Sequence, residues 1–176
     1  MKLFRKISGF IDRMGHDIKL FSVKPALIVG GITLLLGMLS WVVGGRIDKV
    51  MLIYIFPRSA FSLGLMYFMW ALFFLFLGII IGGVAFGCEK YKRKESVKAV
   101  IFLVVSLLFT LLIYPVFFKS MAPFITFIII FISAFFCLMA LMTCSRIYSL
   151  WTICIAIYML WLIYNGYLSL CIALIN

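Results

Sequence analysis

The chain has 176 residues, 67% of them hydrophobic and only 12% charged, against about 45–50% and about 25% in ordinary soluble domains. So few polar residues cannot cover a surface in water; a water-soluble domain is excluded and lipid must be the solvent. The net charge of +11 is confined to short segments beside apolar runs, which fits membrane topology and argues against a nucleic-acid-binding face.

The chain opens on a basic segment, residues 1–24. Leu3, Phe4, Ile7, Phe10, Ile11, Met14 and Ile18 recur at helical spacing, with Lys2, Arg5, Lys6, Arg13 and Lys19 largely opposite them. This pattern predicts an amphipathic interfacial helix on an anionic cytoplasmic leaflet, with a solvated basic tail as the alternative. It lacks the short apolar core and small-residue cleavage site of a signal peptide.

Residues 25–176 hold five apolar spans, at about 25–45, 60–87, 98–118, 121–143 and 148–174. Each has enough residues, at about 1.5 Å apiece, to cross a hydrocarbon core of about 30 Å. In lipid a segment must satisfy its own backbone groups, so each span is a helix. The expected fold is an all-α integral membrane protein with five transmembrane helices in one bundle.

With five spans, one side of the membrane collects Lys2, Arg5, Lys6, Arg13, Lys19, Lys24, Lys90, Lys92, Arg93, Lys94, Lys98 and Arg146. The other holds only Arg46, Lys49, Arg58 and Lys119. By the positive-inside rule the N-terminus is cytoplasmic and the C-terminus outside, in a multi-pass protein of the cell (plasma) membrane. Gly78, Gly82, Gly83 and Gly87 in the second span form G-x-x-x-G in "GIIIG" and again in "GVAFG". These fit close helix packing within the chain, or the face of a homodimer.

Catalytic chemistry finds little footing. No Asp, Glu, Lys, Arg or His lies well inside any span, which argues against an ion-coupled transporter and against acid–base hydrolysis. Ser106 and Ser133 have no His or acid within reach, and the one histidine, His16, cannot build a metal site with five cysteines that show no C-x-x-C pair.

What the spans do carry is aromatic and neutral-polar. Met66, Trp70, Phe74 and Leu77 share a face of the second span, and Ser106, Thr110, Ile113 and Phe117 a face of the third. Tyr158, Trp161, Asn165, Leu168 and Ile172 share a face of the fifth. Each stripe reads either as bundle core or as the wall of an aromatic pocket for a flat apolar ligand.

The last span, "IYMLWLIYNGYLSLCIALIN", resembles the end of the tryptophan-rich sensory protein/translocator protein (TspO/MBR) family, P-Y-L-x-W-x-x-F-A-x-x-L-N-x-x-I-x-x-L-N. It keeps Tyr158, Trp161, Leu168, Ile172 and Asn176. "WALFFLFLG" (70–78) is similar to the family's W-T-x-L-Y-x-L-M-G, Pro57 falls on the proline of its K-P pair, and "YPVFF" (114–118) is similar to S-P-L-F-F. The likeness covers about residues 30–176. Phe61–Ser62 replaces the family's P-P, Thr110 and Ser169 replace asparagines, and the sterol-recognition basic residue after Tyr167 is missing.

The resemblance implies a pocket between the helices, closed by the loop after helix 1, that binds a porphyrin, a tetrapyrrole or a similar hydrophobic small molecule in a sensory, receptor-like role. Its lining would be Trp70, Phe74, Phe117, Tyr158, Trp161 and Asn165, with the two tryptophans stacking on the ligand and Asn165 bonding its polar edge. No obligatory cofactor or metal is implied. Light-dependent porphyrin breakdown is an activity the family alone implies; the residues favour a non-enzyme. The rival reading is a ligand-free membrane scaffold.

Overall fold

A computed structural model describes residues 14–15, 21–44, 54–58, 60–87 and 93–176. The expected interfacial helix lies almost wholly outside the described residues. Five helices are long and apolar enough to cross a membrane. They are α1 (Val23–Gly44), α2 (Leu63–Phe86), α3 (Arg93–Tyr114), α4 (Pro123–Cys144) and α5 (Ser149–Ile175). No strand occurs among the described residues. The molecule is an all-α membrane bundle.

The helices form a ring of neighbours. α1 packs on α2, α2 on α5, α5 on α4 and α4 on α3, and α3 closes the ring against α1 and α2. The sequence spans coincide with these helices to within a few residues, except at the start of α3. There the helix begins at Arg93 rather than near Lys98, because the charged turn before the apolar run is itself helical. Glu95 in that first turn suits the positive end of the helix dipole and pairs with Lys98 at 3.0 Å.

α3 does not stop at Pro115. It widens into a π-helical turn, Pro115–Lys119. Proline has no N–H to donate and its ring crowds the preceding turn, so the helix is continued there by a wider winding. The turn re-aims Phe117 and Phe118 toward the loop before α2, where Tyr54 and Phe56 pack with them.

The glycine seam is used inside the chain. A Cβ at Gly82 would stand 2.6 Å from Ala26 Cα, and one at Gly78 would stand 2.7 Å from Gly30 Cα. Only hydrogens allow α1 and α2 to approach so closely. Thr33 Oγ1 exploits that approach, donating to Phe74 O at 2.9 Å across the seam. The outer faces, including Leu35, Leu39 and Val42 of α1 and Phe131 and Phe135 of α4, are exposed and apolar, as a lipid-facing surface requires.

Candidate ligand-binding site

Trp70 on α2 meets Tyr114 on α3 edge-on, with ring centroids 5.2 Å apart. Between them and α5 lies a cavity of about 30 Å³, lined also by Phe117, Phe118, Asn165 and Ser169. A second cavity of about 250 Å³ is lined by Phe56, Pro57, Arg58, Ala60 and Phe61 and shares Met66, Phe117 and Phe118 with the first. The two are neighbours, with these three side chains forming the wall they share.

The segment lining the second cavity is tied down at several points. Ile55 N donates to Asn176 Oδ1 at 2.8 Å, and Asn176 Nδ2 donates back to Ile55 O at 3.2 Å. Tyr54 OH donates to Met121 O at 2.7 Å. Phe61 N donates to Tyr164 OH at 3.3 Å. A side-chain amide that pairs both backbone groups of one residue mimics a sheet rung, holding the loop in register over the end of α5.

Of the six residues singled out in the sequence, Trp70, Phe117 and Asn165 line the inner cavity together. Trp161 does not line it. Its ring stacks on Phe73 at 4.8 Å and 6°, and meets Trp70 edge-on at 5.7 Å, so it backs the wall that Trp70 forms. The Trp161 indole N–H is buried with no hydrogen-bond partner among the described residues.

Phe74 does not line the inner cavity either: its ring lies 5.7 Å from that of Trp70 and covers Gly37 of α1, where a Cβ would stand 2.5 Å from it. Tyr158 is held inside the bundle: its hydroxyl lies 2.9 Å from Thr110 Oγ1, which lies 3.0 Å from Ser133 Oγ, itself 2.9 Å from Ser106 Oγ. This buried hydroxyl cluster joins α3, α4 and α5.

Tyr114, Phe118 and Ser169 complete the inner wall without having been singled out as site residues. Pro115 was the available signal: a proline just before a pair of aromatics marks the winding change that turns them inward. Asn165 Nδ2 donates to Trp161 O at 2.7 Å.

Fold and site together define a multi-pass helical membrane protein with a covered aromatic cavity between its helices. Compared with known proteins, the chain matches no family model and no curated sequence.

Proposed function

We propose that this chain is a TspO/MBR-like protein of the cell membrane that binds a flat hydrophobic ligand of the porphyrin or tetrapyrrole class, in a sensory or regulatory role. One observation carries the reading. An aromatic cavity walled by Trp70, Tyr114 and Phe117 neighbours a larger one lined by a loop that Asn176 fastens. Trp and Tyr faces supply stacking area for a planar molecule, and a covered mouth keeps that molecule out of water.

Neither cavity reaches the roughly 300 Å³ at the lower end of drug-sized sites. Binding of a tetrapyrrole therefore requires the helices and the bonded residues Tyr54, Ile55 and Phe61 to give way and widen this space. Arg58 lines the outer cavity and is exposed, so it is placed to meet carboxylates that remain at the mouth.

Protoporphyrin titrated into the purified protein in lipid nanodiscs should quench tryptophan fluorescence saturably and raise the melting temperature with dose. Trp70→Ala should weaken binding at least tenfold, since stacking of an aromatic pair adds about 0.5–1.5 kcal/mol beyond area burial and the whole indole face is lost. The absence of any saturable response in the wild type would return the molecule to the scaffold reading.

A further inference from the structure

The end of the bundle away from the aromatic cavities has a cavity of its own. It holds about 180 Å³ and is lined by Ala85 of α2 and by Arg93, Ser96, Val97, Val100 and Ile101 of α3. Ala85 lies at the far end of α2 from Met66, about 29 Å away by helical rise. This space is therefore separate from the ligand site proposed above.

The α3 residues follow one another at i, i+3, i+4, i+7 and i+8, which is a single helical face. That face begins with a guanidinium and continues with branched aliphatic side chains. From Arg93 to Ile101 it descends about 12 Å, within the roughly 15 Å of hydrocarbon in one leaflet. Ser96 is buried and its Oγ donates to Val84 O, which pins α3 to the end of α2 and fixes the floor of the groove. Ala85, Val97 and Ile101 are exposed, so the groove opens to the lipid side.

Any lipid could lay an acyl chain on such walls; the charge around the groove decides which one is held. Arg93 is exposed and forms no ion pair among the described residues. Glu95, the one acid among those residues, is already paired with Lys98. A guanidinium presents its N–H groups in a planar fork that matches phosphate oxygens. A choline headgroup would bring its own cation beside Arg93, Lys94 and Lys98, whereas an anionic headgroup brings none.

We propose that this groove holds one anionic glycerophospholipid. Its phosphate sits on Arg93, and the upper part of one acyl chain runs along Val97, Val100 and Ile101. Basic pockets between membrane helices recognise anionic lipids through this combination of charge and apolar wall.

Native mass spectrometry tests the site on the full chain, released from micelles holding equal phosphatidylglycerol and phosphatidylcholine of matched chains. The wild type should retain phosphatidylglycerol at least about fivefold over phosphatidylcholine. Arg93→Gln should bring the two lipids within about twofold of each other, and Arg93→Lys should keep only part of the preference. Ala85→Leu fills the groove without touching a charge, and it too should lower phosphatidylglycerol retention. Arg146→Gln removes a base from the same end but outside the groove, and should leave the preference as it is. Glycerol phosphate, a headgroup without chains, should not displace the lipid.

Equal retention of the two lipids by the wild type would overturn the proposal. So would equal losses in Arg93→Gln and Arg146→Gln, which would reduce the effect to diffuse attraction. Unchanged retention in Ala85→Leu, or displacement by glycerol phosphate, would overturn the acyl-chain groove and leave a bare phosphate contact.

Discussion

Tyr158 carries a phenol into the middle of an apolar bundle, and the bundle answers with three hydroxyls. Thr110, Ser106 and Ser133 form a closed set of bonds of 2.8–3.1 Å, including those to the carbonyls of residues 106 and 133. Each polar group would be costly alone in this setting; together they satisfy one another and fix how α3, α4 and α5 rotate against each other. Tyr158→Phe removes one member while Thr110 keeps its bonds to Ser106 O and Ser133. It should therefore cost only about 1 kcal/mol of stability, seen as a small drop in thermal stability in detergent. Protoporphyrin affinity should not change, because the Tyr158 side chain does not line the cavity. A large loss of affinity in a still-folded Tyr158→Phe protein would place this hydroxyl in the site instead.

At the scale of the helix, α1 and α2 are held by an absence of side chains. Gly30, Gly78 and Gly82 meet across the seam, whereas Gly31, one residue along α1 from Gly30, has nothing within 4 Å of where its Cβ would be. The pair makes an internal control. Gly82→Ala should destabilise the protein by about 1–3 kcal/mol through overpacking against Ala26. Gly31→Ala should be neutral or stabilising by up to about 1 kcal/mol, since alanine is the better helix former and meets no neighbour there. Cys137 and Cys144 are fully buried, so a thiol-reactive dye reports unfolding directly as the temperature rises. Equal melting temperatures for Gly82→Ala and Gly31→Ala would show that the seam tolerates a methyl group.

The same helices show what could be read from the sequence. The spans were legible because apolar runs of this length have one structural solution in lipid, and the G-x-x-x-G seam was legible because small residues at that spacing have one common use. The faces were harder. In water a helix marks its buried side by hydrophobicity, but here the lipid side is equally apolar; Trp70 and Phe74 do share one stripe, with rings 5.7 Å apart, yet only Trp70 lines the cavity while Phe74 packs on Gly37. Phe118 was hidden for another reason. The π-helical turn at Pro115–Lys119 breaks the 3.6-residue period on which stripe reading depends.

Taken whole, the molecule has two unlike ends. At one, Tyr148 OH donates to Gly87 O at 3.4 Å and Ser96 Oγ donates to Val84 O, joining the α4–α5 turn and the start of α3 to the end of α2. Lys24, Arg93, Lys94, Lys98 and Arg146 belong to this end. At the other, the 54–61 segment, the α3–α4 turn and Asn176 are bonded together around the cavity mouth, and the described bases are Arg58 and Lys119. Basic residues close to a span resist translocation, so the end richer in Lys and Arg should be retained in the cytoplasm and the mouth should open outside. A cysteine placed at Lys94 should react with an impermeant maleimide only after the cells are permeabilised. One placed at Arg58 or Lys119 should react in intact cells, with Cys88, Cys154 and Cys171 replaced by serine to clear the background. Labelling at Lys94 in intact cells would invert the molecule. The covered cavity would then draw its ligand from the cytoplasm, and the basic end would face outward against the charge rule.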